Sequence, residues 1–306
     1  EFQESLQKSF VYAGDQTCAG DGLCATSCPV GINVGEYIHV IRQENLSKTG
    51  QKIGNLAANN FGTISKGLKT LLFVADATRS IVGNKAMGSL TKGLRYATGN
   101  AMPLWTPELP KPAPAIPKTE KTDNPLKVVY FPSCLNQMMG VSENDPDKKP
   151  LVHKMVEFLN KAGYEVIFPE KMQSLCCGTI WESKGMPDIA DRKADELYQQ
   201  LLIASEGGKY PVLCDQSPCL YRMRHTMPGL QLFEPVEFIH NFLLDKLDFF
   251  QIDEAITVFP TCSTRKMGLD SMLVKIANMC STNVLVPQEL ACCGFAGDKG
   301  FTIPEL

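Results

Sequence analysis

Cysteine carries the chemistry available to this chain: 12 of its 306 residues are cysteines, and most stand in patterns. Cys176 and Cys177 are adjacent and precede Gly178 in SLCCGTIWES. Upstream lies Cys134 in FPSCL, and downstream lie Cys214 and Cys219 in CDQSPC. The opening then recurs, with Cys262 in FPTCST and with Cys292 and Cys293 in LACCGFAG. Two copies of F-P-[ST]-C followed by C-C-G make an internal repeat. Neighbouring cysteines do not readily bond each other, because a disulfide wants a geometry that one trans peptide step does not offer. Two thiolates on one turn can instead grip a soft metal centre, and the glycine after them lets backbone approach closely. Each repeat is therefore expected to wrap an iron–sulfur cluster.

A second set of candidate ligands lies near the start, in TCAGDGLCATSCPVGIN. Against the bacterial ferredoxin run C-x2-C-x2-C-x3-C-P, Cys18, Cys24, Cys28 and Pro29 fall in register, and Asp21 takes the place of the second cysteine. Short spacings let one tight loop aim several ligands at one cluster face. A carboxylate is a harder ligand than a thiolate, so that corner holds a labile iron, a three-iron cluster or no bond at all. In two-cluster ferredoxins the fourth cysteine of such a run serves the other cluster. Cys28 thus looks for a second motif that this chain does not contain.

These ligands need elements to position them. Over 36–100, IHVIRQ, LLFVADATRSIV and MGSLTKGLRYA space apolar residues three and four apart with Lys and Arg between, which predicts basic amphipathic helices. His39 on the first of them reads as a satisfied surface or core residue rather than a ligand. Residues 103–126, PLWTPELPKPAPAIPKTEKTDNPL, contain seven prolines and predict an extended, stiff linker whose Trp105 anchors on a folded surface. Beyond it the pattern alternates. KVVYFP, EVIFP, YPVLCD, ITVFP and NVLVP read as strands, and PLVHKMVEFLNKAGY, IADRKADELYQQLLIAS, EPVEFIHNFLLDKL and DSMLVKIANM as helices. Such alternation predicts a parallel α/β sheet, and the cysteines fall just after strands, where open α/β sheets bind ligands. Cys280, alone on a helix, reads as core. Asp215, Ser217, Tyr221, Arg222, Arg224, His225 and Arg265 read as surface ion-pairing residues near the clusters. The expected layout is a helical ferredoxin-like iron–sulfur segment over 1–102, a linker over 103–126, and a cysteine-rich α/β domain over 127–306. That domain divides into repeats at 127–250 and 251–306, the second truncated and the two related by a pseudo-twofold.

Lys and Arg nearly balance Asp and Glu at a net charge of −3, so no global field recruits nucleic acid. No apolar run reaches the length a membrane span needs. No signal peptide is visible, and the cysteine usage favours a reducing, cytoplasmic setting.

FPSCL, LCCGT and ACCGFAGDKGF resemble the cysteine-rich "CCG" domains of heterodisulfide reductases and of glycolate- and lactate-oxidising iron–sulfur proteins. CAGDGLCATSCPVGIN resembles more narrowly the C-terminal part of bacterial FAD-linked D-lactate dehydrogenases. The resemblance covers most of the chain. It implies clusters, of the 4Fe-4S type, relaying electrons from a flavin domain outside this chain to a quinone or cytochrome, with peripheral contact at the inner membrane face. The final pair of the heterodisulfide reductase pattern is C-x2-C, which makes Cys219 a surer counterpart than Cys214. Repeat one runs 42 positions from Cys177 to Cys219, whereas only 13 residues follow Cys293; the chain is therefore expected to be a piece of a longer protein. No G-x-G-x-x-G follows a strand, so no flavin or nicotinamide site is expected here. Two rival readings are a CCG module that itself cleaves disulfides and a structural domain holding zinc.

Overall fold

The computed structural model describes residues 2–99, 104–119 and 125–288. Cys292 and Cys293, the second C-C-G, lie outside the described residues. The chain opens with α1 (Phe2–Phe10), a wide turn over Val11–Gln16, α2 (Cys24–Ser27), α3 (Val34–Glu44), α4 (Lys48–Asn59) and α5 (Phe61–Ala97). Asn33 caps α3 by accepting from the Glu36 N–H, and Ser47 caps α4 by accepting from the Gly50 N–H. These polar caps satisfy amides that the helix itself leaves without partners. The two helices expected over LLFVADATRSIV and MGSLTKGLRYA form one run, α5, broken at Gly83 where φ is 80°. Only glycine adopts that conformation cheaply.

The α/β part comprises β1 (Lys127–Phe131), α6 (Cys134–Met138), α7 (Leu151–Lys161), β2 (Glu165–Ile167), α8 (Thr179–Glu182), α9 (Pro187–Ala204), β3 (Val212–Cys214), α10 (Ser217–Thr226), β4 (Leu232–Phe233) and α11 (Pro235–Phe242). All four strands are parallel, in the order β2-β1-β3-β4. From β1 the chain moves one way to β2 and then returns to the other side for β3 and β4. The order reverses between β1 and β3, and the crevice at their carboxyl ends is where open α/β sheets bind ligands.

Side chains alternate across β1, as strand geometry requires. Val128 and Tyr130 pack with Val152, Val156, Leu159, Leu213 and Phe238 under α7 and α11. Val129 and Phe131 pack on the other face with Leu197, Leu201, Leu220 and Met223 from α9 and α10. That second core also takes in Ala58 and Phe61 from the N-terminal helices, together with Cys176, Cys177 and Trp181.

The proline-rich segment is extended where described, but it does not hang free. The Ala113 N–H donates to the Met138 carbonyl at 2.9 Å, and the Lys111 N–H donates to the Val141 carbonyl at 3.0 Å. Trp105 is anchored through its N–H, which donates to Thr91 Oγ1 at 3.0 Å.

After α11 come β5 (Ile256–Thr257), α12 (Cys262–Lys266), α13 (Asp270–Cys280) and β6 (Val284–Leu285), with β5 and β6 parallel in a separate pair. The local order here matches that around β1 and β2. A strand leads through proline to a hydroxyl-capped five-residue helix opening on cysteine, with Ser133 capping α6 and Thr261 capping α12. A longer helix and a parallel strand follow in each.

Candidate metal centre

β1 ends at Phe131, which is in register with Cys214 on β3. Pro132 and Ser133 then carry the chain to Cys134 at the first position of α6. Asp215, the residue after β3, ties the two strand ends together. Its Oδ1 accepts from the Ser133 N–H at 2.7 Å and its Oδ2 from the Tyr130 hydroxyl at 2.7 Å. Enclosure pushes the Asp215 carboxyl above its usual range, against the pull of these donors. Gln137 of α6 braces the end of β1, its amide donating to the Pro132 carbonyl at 2.8 Å.

Cys176 and Cys177 arrive on the turn before α8. Gly178 has φ 89° and lies so close to α9 that a Cβ there would collide with the Ala190 carbonyl. The glycine is what lets the double-cysteine turn lie flat on the helix. Arg222, only 6% exposed, locks the turn from α10: its Nε donates to the Cys177 carbonyl at 3.0 Å, and its guanidinium pairs with Asp191 and Glu182. The sequence placed Arg222 and Asp215 among surface ion pairs, but the structure builds both into the site. A buried guanidinium is stable only with such partners.

Four thiols meet at this end of the sheet. Cys176 contacts Cys134 and Cys177, and Cys177 contacts Cys219 in the first turn of α10. Hydrogen bonding from Cys176 holds the Cys134 thiol below its usual range, and hydrogen bonds from Cys176 and then Cys219 hold Cys177 lower still. The two donors, Cys176 and Cys219, are pushed up correspondingly. Thr179 also reaches Cys177 Sγ at 3.2 Å, and the Gly178 N–H donates to Cys176 Sγ at 3.4 Å. Cys214 stands apart, with burial pushing its thiol well up and its Sγ 3.8 Å from the Gln216 carbonyl. Cys219, not Cys214, makes the thiol contact. A cavity of about 30 Å³ opens beside Cys134 between Gln137, Met138 and Ser65, Lys66 and Lys69 of α5.

The ferredoxin-like run forms a separate loop. The Gly20 N–H donates to Cys18 Sγ at 3.3 Å, and Asp21 Oδ1 accepts from the Leu23 N–H at 3.1 Å. Cys24 opens α2 and is exposed; Cys28 follows that helix, its thiol lowered by the Ile32 and Val30 amides. Arg42 of α3 fixes the loop, donating to the Asp15 side chain at 2.7 Å and to the Cys18 carbonyl at 3.0 Å. The same guanidinium reaches the Ser183 carbonyl just after α8 at 2.8 Å. Lys266 of α12 donates to the Asp21 carbonyl at 3.4 Å while its ammonium lies 4.1 Å from the centre of the Tyr221 ring, two residues past Cys219. The loop is thus hung on the element carrying the double cysteine and on the one carrying Cys262. Cys262 begins α12, whose Thr264 hydroxyl donates to Ser217 Oγ at 3.1 Å. Cys280 ends α13 and joins neither group.

Among the described residues, no three Cys, His, Asp or Glu side chains converge on a single-ion position. The four contacting thiols run in sequence 134–176–177–219 instead. Four soft sulfur donors linked one to the next, two of them on a turn that only glycine admits, fit an iron–sulfur cluster by donor chemistry.

A family model described as the cysteine-rich domain, CCG, matches residues 128–224 and so spans Cys134, Cys176, Cys177, Cys214 and Cys219. No curated protein and no solved structure matches the chain. The match supports a redox-related role with iron–sulfur or metal binding, the domain being one found in iron–sulfur oxidoreductases.

Proposed function

We propose that this chain is the iron–sulfur relay of an FAD-linked D-lactate dehydrogenase, passing electrons from a flavin domain to a quinone or cytochrome. The observation that carries the reading is the contact of Cys134, Cys176, Cys177 and Cys219 at the strand-order reversal. Those four residues would hold one cluster, and Cys18, Cys24 and Cys28, with or without Asp21, a second. Cys262 with Cys292 and Cys293 would form the counterpart of the first in the second repeat. A bound cluster supplies one-electron chemistry to match a two-electron flavin donor. The chain's own residues set its surroundings. Asp215 and Arg222 hold the ligand-bearing turns, the apolar core under Phe131 and Trp181 excludes water, and the Gly178 and Gly20 amides donate to sulfur, which tunes a cluster's potential. Arg42 and Lys266 support the relay reading, since both join the N-terminal loop to the elements around the thiols.

A rival reading, reduction of a disulfide substrate at the thiols, is separated from the relay by assaying the chain against a low-molecular-weight disulfide. Anaerobic reconstitution, iron and sulfide counting and EPR test the proposal. The expected product is brown, carries acid-labile sulfide, and does not oxidise D-lactate with a dye acceptor. A colourless chain binding zinc alone, or turnover of D-lactate by this chain without a flavin domain, would defeat it.

A further inference from the structure

The thiols at the end of the sheet differ in how far solvent reaches them. Cys134 is half-buried at the start of α6, whereas Cys176, on the turn before α8, is 1% exposed. The opening beside Cys134, about 30 Å³ between Ser65, Lys66, Lys69, Gln137 and Met138, has room for a molecule on the scale of water. Hydrogen peroxide is a small, neutral oxidant of about that scale.

Behind Cys134 stands one thiol. Cys176 donates a hydrogen bond to the Cys134 sulfur. Its other sulfur neighbour, Cys177, is the next residue across a trans peptide. That step separates the two Cα atoms by about 3.8 Å, below the roughly 4.4–6.8 Å that a disulfide wants. Cys177 lies against Cys219 instead, and Cys214 directs its sulfur toward the Gln216 carbonyl. An oxidant that reaches Cys134 therefore meets a reachable sulfur backed by a buried one. In that arrangement a sulfenic acid condenses to a disulfide instead of climbing to the irreversible sulfinic acid.

We propose that Cys134 is a peroxide-sensitive modification site and that Cys176 is its resolving thiol. In the first step the Cys134 sulfur attacks one peroxide oxygen, the O–O bond breaks, and a sulfenic acid and one water form. In the second the Cys176 sulfur displaces that oxygen, which leaves as a second water, and a Cys134–Cys176 disulfide forms. Two thiols are oxidised and one peroxide is reduced. The bridge takes two of the four sulfurs that the proposed cluster needs, so the oxidised chain loads no iron there until a dithiol reopens it by exchange.

The test uses the full chain, reduced and freed of metal with a chelator under argon, then treated with hydrogen peroxide. Free thiols are capped with iodoacetamide, and the chain is digested without reductant. The expected product is a cross-linked peptide pair whose tandem mass spectra place the bridge between Cys134 and Cys176, and which dithiothreitol separates. In Cys176→Ser the bridge should be lost and Cys134 should be captured as a sulfenic acid by dimedone. If Cys134 of the treated parent remains a free thiol, advances to sulfinic acid, or bridges to any cysteine other than Cys176, the proposal is overturned. The parent chain decides the matter even where the variant fails to fold. Because the mapping is done without iron, failure of the bridge leaves the relay reading standing, and a chain that never takes up iron leaves the bridge standing.

Discussion

Gly178 illustrates what a single position does for the site. Its φ of 89° and the Ala190 carbonyl beneath it leave no place for a Cβ. Gly178→Ala is expected to cost about 1–3 kcal/mol in backbone strain, and displacing α9 adds to that. The expected observation is a lower denaturant midpoint with an unchanged denaturant slope, accompanied by loss of cluster from the four-thiol site. A variant as stable as the parent would show that the double-cysteine turn does not depend on this approach. The glycine was legible in the sequence because it follows a double cysteine, and doubled thiols imply a close turn. Asp215 and Arg222 were not legible as parts of the site. Nothing in CDQSPCLYRMRH distinguishes a buried arginine from a solvated one. The distinction depends on Asp191 and Glu182, about 30 and 40 positions earlier, being folded beside it. That His39 Nε2 is buried with no hydrogen-bond partner among the described residues was not legible for the same reason, since helical spacing does not encode the burial of one ring nitrogen.

At the level of elements, the strands and most helices of the α/β part were readable because β1, β2 and β3 are short apolar runs bounded by proline, glycine or aspartate, and α7, α9 and α11 repeat apolar residues at helical spacing. α10 was missed. Its sequence, SPCLYRMRHT, has little apolar periodicity, and Leu220 and Met223 are buried there alongside a charged residue. α4 lies within the stretch read as helical, although its glycines lower helix propensity and its contact face is made of Gly54 and Ala58. The basic amphipathic character expected of α5 is present and largely unpartnered. The helix carries six basic residues against one acidic one in a chain of net charge −3, and Leu71, Phe73, Val74, Ile81 and Leu90 are exposed along it. No described helix is long and apolar enough to cross a membrane. Exposed apolar side chains among lysines and arginines complement an anionic lipid surface. The chain is therefore expected to co-sediment with phosphatidylserine-containing vesicles at low salt and to release at high salt, as screening removes the charge term. Phe73→Glu with Leu71→Glu should abolish the binding. Equal binding to neutral vesicles, or none to either kind, would remove the membrane as the occupant of this face.

Taken whole, the molecule packs across the boundary that its composition marks. The proline-rich stretch looks like a spacer in sequence because proline and lysine replace apolar periodicity, yet packing crosses it freely. Phe61, at the start of α5, meets the Trp181 ring edge-on at 5.5 Å, and the Trp181 indole N–H donates to the Gly54 carbonyl at 3.3 Å. Ala58 and Phe61 belong to the same core as Cys176 and Cys177. Such a core is expected to unfold as one unit, because the cost of opening the helical segment includes exposing the apolar floor of the thiol site. Phe61→Ala should therefore remove about 3–5 kcal/mol, the usual cost of deleting a buried aromatic ring. It should lower a single thermal transition seen alike by helical circular dichroism and by Trp181 fluorescence, and raise the reactivity of Cys176 and Cys177 toward a thiol probe below that transition. Two separate transitions, with only the helical one shifted by Phe61→Ala, would mean that the N-terminal helices and the cysteine-rich part are independent bodies. Arg42 and Lys266 would then join the two loops without coupling their stability. A single shifted transition would instead tie the geometry of both proposed clusters to one folding event, so that loss of the helices disorders the thiols as well.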